Sequence, residues 1–137
     1  MPEITHVRAN WEWDQDAPLT QLVKAGDFLL LSGQIPYNEK GETIGVGDLK
    51  AQARQVFKNM QHVLGLVGVD LTSVVRLTNY IVPSMRDPQT TKDYWEVKQE
   101  FFGDKHPAST GIQVVGLMDP DWFLEVDAIA YAPHAKI

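Results

Sequence analysis

The run Gly26-Asp27-Phe28-Leu29-Leu30-Leu31-Ser32-Gly33-Gln34 sets four consecutive apolar residues between a Gly-Asp turn signal and a Ser-Gly break. A short apolar run bounded in this way reads as a strand buried on both faces, in the centre of a sheet. Beyond it the period changes. From Leu49 onward Ala53, Val56, Phe57, Met60, Val63, Leu64 and Val67 recur three and four apart, with Lys50, Arg54, Lys58, Gln61 and His62 between them. That is the pattern of an amphipathic helix. Asp48 can cap its start and Gly68 its end, which places the helix over about residues 48–67.

Val74 to Val82 is rich in β-branched residues and stops at Pro83, so it reads as another strand. In a second helix Tyr94, Val97, Lys98 and Phe101 form one stripe, Trp95 and Phe102 flank it, and Gly103 ends it. Gly111 to Leu117 and Trp122 to Tyr131 are strand-like runs on either side of the turn residues Asp119-Pro120-Asp121. The order strands, helix, strand, helix, strands predicts an α+β sheet with both helices packed on one face. The opposite face then needs a cover, for which a second copy of the chain is the economical choice. No linker or repeat interrupts the sequence, so residues 1–137 are expected to form a single domain with its core over about 17–131.

Composition excludes several classes. With 44% hydrophobic and 22% charged residues, the 137-residue chain has the balance of a folded globular protein rather than a disordered one. Its net charge of −6 argues against a nucleic acid partner, which calls for a basic face. Without cysteine there is no disulfide, no thiolate-held cluster and no cysteine nucleophile. His6, His62, His106 and His134 lack the close pairing that sets two imidazoles on one ion, so neither a metal nor a cofactor is expected. Gly45-Val46-Gly47 has neither the third glycine of a dinucleotide loop nor the lysine of a P-loop. No leader signal and no apolar run of about 18 residues is present, so no membrane partner and a cytoplasmic location are expected.

Chemistry concentrates at two places. Glu125 and Asp127, two apart on a strand, project from one face together with Phe123, Ile129 and Tyr131. Neighbouring carboxylates raise one another's pKa, which suits a group that relays protons near neutral pH. At Ser32-Gly33-Gln34 a break after a buried strand frees backbone N–H groups and a hydroxyl for a small-molecule ligand.

Read in order, Val23-Lys24-Ala25-Gly26-Asp27, Leu31-Ser32-Gly33-Gln34-Ile35-Pro36, Gln52-Ala53-Arg54-Gln55, Lys58-Asn59, Phe101-Phe102, Pro107-Ala108 and Leu124 to Ala130 resemble the RidA/YjgF family. These are the reactive-intermediate deaminases, also called L-PSP endoribonucleases. The resemblance runs from about Ala17 to Ala130 and implies a chorismate-mutase-like fold, assembled as a homotrimer with ligand clefts between subunits. It implies cofactor-independent hydrolysis of small imines and enamines, with Glu125 orienting water. It further implies a substrate site at Ser32, Gly33, Gln34, Ser109, Thr110, Leu19 and Trp95.

Four of the family's residues are replaced. Ser109 stands for an arginine that grips a carboxylate, Leu19 for a tyrosine, Gly111 for a frequent cysteine and Trp95 for an asparagine. A hydroxyl in place of a bidentate guanidinium forfeits about 2–4 kcal/mol of carboxylate binding. The expected substrate is therefore an imine, enamine or related intermediate anchored by neutral hydrogen-bonding groups rather than an α-carboxylate. Arg76, Arg86 or an arginine of a neighbouring subunit is the alternative cation. The competing reading is a non-catalytic, small-molecule-binding trimer, while the charge of −6 speaks against ribonuclease activity.

Overall fold

The structure, a computed structural model, describes residues 3–137. Its strands are β1 (Ile4–Val7), β2 (Leu22–Ala25), β3 (Phe28–Gln34), β4 (Val74–Ile81), β5 (Ala108–Gln113) and β6 (Leu124–Tyr131). Two helices, α1 (Leu49–Gly65) and α2 (Pro88–Phe102), interrupt them. The six strands form one sheet in the order β1-β2-β3-β6-β4-β5. Only β4 and β5 pair in parallel, as the α2 crossover between them requires. The expected α+β sheet backed by two helices is what the chain forms. No helix among the described residues is long and apolar enough to cross a membrane.

β1 and β2 were not read from the sequence. β2 turns into β3 through the two-residue hairpin Gly26-Asp27, where Gly26 has φ +60°. β3 does lie inside the sheet, between β2 and β6, but it is not buried on both faces. Leu29 and Leu31 lie in the core, whereas Phe28 is 46% and Leu30 44% exposed on the face without helices. A continuous apolar run and a one-sided strand with an apolar outer face look the same in sequence. The run expected over Gly111 to Leu117 is shifted too. β5 starts at Ala108 and ends at Gln113, leaving Val115 and Met118 in an exposed connection.

The helix ends follow local chemistry. Asp48 caps α1, its carboxylate accepting from the Ala51 N–H at 3.1 Å. α1 stops at Gly65, short of Gly68, which takes φ +72° in the following turn. Asp87 caps α2 by accepting from the Gln89 N–H, with Pro88 at the first helical position. Ala53, Val56, Phe57, Met60, Val63 and Leu64 of α1 meet Leu29, Leu31, Leu124, Val126, Ala128 and Ala130 of the sheet in one apolar cluster. Tyr94, Val97 and Phe102 of α2 join it.

Gln52 is a fully buried polar member of this interior. Its amide donates to the carbonyls of Gly45 (3.1 Å) and Asp121 (2.8 Å), and its oxygen accepts from the Phe123 N–H at 2.7 Å. One side chain thus fixes the approach to β6 from α1.

Phe57 is fully buried, with its ring against Tyr94, Phe101 and Phe102. Phe57→Ala should cost about 3–5 kcal/mol through lost transfer energy and an unfilled cavity. Urea unfolding measures this, and a midpoint equal to wild type would mean that the aromatic cluster is dispensable.

Candidate functional site

β6 alternates with a period of two. Leu124, Val126, Ala128 and Ala130 face the helices, so Glu125, Asp127, Ile129 and Tyr131 face the open side. Across the sheet β3 pairs Leu31 with Ala128 but Gln34 with Val126, so three steps of β3 span two of β6. The extra residue is a β-bulge at Ser32-Gly33. It reverses the phase of β3, which puts Gln34 on the core side.

Ser32, Gly33 and Glu125 lie close together. The Ser32 hydroxyl donates to the Thr20 carbonyl at 2.6 Å, and its N–H donates to the Gln21 carbonyl at 3.0 Å. Gly33 lies against the Glu125 side chain so tightly that a Cβ there would stand 2.1 Å from Glu125 Oε2. Glycine is required at this contact for lack of space, not for backbone conformation. Leu19, exposed, neighbours the Thr20 carbonyl that Ser32 binds.

Gln34 does not join them. It is buried, donating to Gln21 Oε1 and to the Ser32 carbonyl, both at 2.9 Å, while Gln21 donates to Asp14 Oδ2 at 3.0 Å. Its side chain braces the bulge from beneath. The bulge is the physical reason that a residue expected to touch ligand became a core amide.

Ser109 and Thr110 separate as well. Successive residues of β5 point to opposite faces, and the Arg76 guanidinium donates to the Thr110 hydroxyl on the open side. Ser109 instead faces α2, accepting from Asn79 Nδ2 at 2.8 Å and from Lys98 Nζ at 3.1 Å. With Trp95, Lys98, Gln99, His106 and Pro107 it lines a groove of about 310 Å³. Trp95 is 63% exposed there, rather than flanking the core. Within one chain, therefore, Glu125 with Ser32 and Gly33 occupies one side of the sheet, and Ser109 with Trp95 the other.

Sequence reasoning missed Tyr80 and the setting of Lys98. Tyr80 sits opposite Glu125 in the β4–β6 ladder and its hydroxyl donates to Asp127 Oδ2 at 3.4 Å. The alternation Arg76, Thr78, Tyr80 was the available signal. The Asp127 carboxylate, then burial, push the Tyr80 phenol above its ordinary pKa. Burial, and secondarily Asp127, raise the Glu125 carboxyl above the usual carboxylate range. No group of three or more His, Asp or Glu side chains among the described residues could hold a metal ion.

Residues 12–132 match the family described as Endoribonuclease L-PSP. A RutC family protein of Pyrococcus horikoshii is 38% identical over 83% of this chain and 86% of its own. The 3-aminoacrylate deaminase RutC of Acinetobacter baylyi is 32% identical over 84% of this chain and 87% of its own. The crystal structure of yeast Mmf1, 25% identical, superposes with a TM-score of 0.81 over 95% of this chain and 99% of that one.

The Glu125 proton has a consequence for stability. A carboxyl with a higher pKa folded than unfolded favours folding most at pH below its unfolded value, about 4.3. That contribution is lost as pH rises through the folded value. Glu125→Gln should then melt at or above the wild-type temperature at pH 7, with the gap closing towards pH ~4. Thermal melts across this range test it, and a variant less stable than wild type at neutral pH would contradict it.

Proposed function

The chain belongs to the Endoribonuclease L-PSP family, the RidA/YjgF group, and on that premise we propose that it hydrolyses a small imine, enamine or related reactive intermediate in a cleft completed by a neighbouring subunit. The observation that carries this reading is Glu125: a half-buried carboxylate, raised in pKa, lodged against the Gly33 backbone on a face the chain leaves uncovered. A raised carboxyl pKa lies nearer neutrality, where a general acid–base group is most effective.

In the proposed reaction Glu125 accepts a proton from a bound water as the water oxygen attacks the C=N carbon. The C=N electron pair moves to nitrogen, which takes up the proton that Glu125 received. The carbinolamine then collapses as its hydroxyl proton passes through Glu125 to the amino group, forming C=O and expelling ammonia. Ser32 and the Gly33 backbone would hold one end of the substrate beside Glu125, with Leu19 near them and Gln34 bracing them from the core. Ser109 and Trp95 would come from the groove of another subunit, and Thr110 from the open face, offering hydroxyls rather than a guanidinium to the anchoring group. The similarity to an aminoacrylate deaminase supports the reaction class.

Ser109, standing where the family carries its carboxylate-gripping arginine, favours a second reading, a small-molecule binder without turnover. Ammonia release separates the two. With 2-imino acids generated in place by an amino-acid oxidase, wild type should add little or nothing to the spontaneous release of ammonia. With imines lacking an α-carboxylate, generated by an amine oxidase, it should accelerate that release, and Glu125→Gln should lower the rate about 100-fold or more without altering assembly. Gly33→Ala should have a similar effect while leaving the fold intact, because a methyl group there must displace a flexible carboxylate rather than backbone. No acceleration by wild type over a panel of imines would leave the binding reading.

The cleft requires partners, and the open face is suited to them: Phe28, Leu30, Ile112 and Tyr131 are all exposed. Light scattering should give three times the 15.4 kDa chain mass at micromolar concentration. A monodisperse monomer would remove the shared cleft.

A further inference from the structure

Among the described residues Asp14 is the one acid in the buried interior. Its Oδ2 accepts from Gln21 Nε2 at 3.0 Å, and its Oδ1 meets no donor among those residues. Arg8 does not neutralise it. The guanidinium donates instead to the carbonyls of Asp14 (2.8 Å) and Gln15 (3.0 Å), which pins the main chain around the 3-10 turn Glu12–Asp14. A carboxylate is costly to bury, and this one is tied to a single amide, so what that amide does defines its role. From Gln21 the bonds run in one direction. A carboxylate only accepts, so Gln21 gives it the NH2 group and turns its own oxygen to Gln34 Nε2 at 2.9 Å. Gln34 donates its other N–H to the Ser32 carbonyl, also at 2.9 Å. Ser32 and Gly33 have no register partner in β6, so the bulge depends on these contacts and on the Ser32 N–H bond to the Gln21 carbonyl.

We propose that Asp14 is a positioning residue for Glu125: through Gln21 and Gln34 its carboxylate fixes the direction of two buried amides, and so the height of the Ser32-Gly33 bulge against which the Glu125 side chain lies. The inference rests on the reading of Glu125 as the proton-transferring group. Without an acceptor at residue 14 the Gln21 amide is free to turn over, and Gln34 with it. A turned Gln34 sets its oxygen against the Ser32 carbonyl, and two acceptors repel one another. The bulge then shifts. At Gly33 the fit has no slack, since even a methyl group there would collide with Glu125 Oε2. A displaced bulge opens the carboxyl to water. Burial is the larger cause of its raised pKa, so a rehydrated Glu125 holds its proton less well. Asp14 acts on the reaction only through the two amides, from the core side of the sheet, and no proton passes along them.

Carbon-13 labelling of the glutamate carboxyls lets Glu125 be titrated by NMR in the intact protein, its signal identified by its loss in Glu125→Gln. The double variant Asp14→Leu with Gln21→Met replaces both partners of one buried hydrogen bond by apolar groups, so it should melt close to wild type. Its Glu125 midpoint should nevertheless fall towards the ordinary value of about 4.3. Asp14→Asn removes the same charge but keeps an acceptor facing Gln21, and it should titrate as wild type does. That control separates the position of the bulge from the field of the carboxylate. Asp127 and Tyr80, which face Glu125 from β6 and β4, are unaltered throughout. If the double variant does not fold, Asp14→Ala alone should show the same fall. In the ammonia assay the double variant should lose about tenfold or more in kcat with KM unchanged. An unchanged Glu125 midpoint in the folded double variant would overturn the proposal, as would an equal fall in Asp14→Asn. The titration needs no substrate, so its result stands apart from that of the hydrolase assay.

Discussion

β6 alternates without a fault from Leu124 to Tyr131, and both of its neighbours bend to fit it. β3 carries its extra residue at Ser32-Gly33 and β4 shifts register between Val74 and Arg76. A slip of β6 by one residue would send Glu125 and Asp127 into an apolar core and expose four core side chains, at a cost no local rearrangement could recover. The acidic pair is therefore locked to the open face by the packing of the opposite one. Gln52 secures the same strand at its beginning, bonding the Phe123 N–H from within α1.

Consecutive residues of β4 serve the two sides of the sheet. Tyr80 stands across from Glu125 on the open face, while buried Asn79 turns towards α2. Asn79 donates to Ser109 Oγ and to the Thr110 carbonyl, and it accepts from the Tyr94 hydroxyl. That one amide sets the height of β5 against α2, and with it the distance between Ser109 and Lys98. The two chemical regions are thus joined through a single strand although within one chain their side chains do not meet.

How far the fold could be read from sequence depends on periodicity. α1 was legible because its stripe is unbroken over several turns and Asp48 marks its start. The two-helix, one-sided sheet followed from element order. Glu125 and Asp127 were placed on one face correctly because β6 is regular. Bulges leave no periodic trace, so Gln34 looked like a ligand contact when the phase of β3 had already reversed. Phe28 and Leu30 made a one-sided strand look two-sided, because exposed apolar side chains on the outer face read in sequence like a second buried face. Lys98 stood in an apolar helical stripe, and four residues after Tyr94 its position above that ring could have been foreseen. Its hydrogen bond to Ser109, however, joins elements brought together only by the parallel crossover.

That crossover leaves β5 at the margin of the sheet, with almost every residue exposed. A marginal strand presents a row of main-chain groups to any passing strand, and proteins usually guard it with lysine, proline or a covering segment. β5, Ala108-Ser109-Thr110-Gly111-Ile112-Gln113, carries no charge, and Pro107 precedes rather than interrupts it. Main-chain groups left open along such an edge can pair with those of another chain, and the frequency of that encounter rises with chain concentration, so solubility depends on this border as well as on the core.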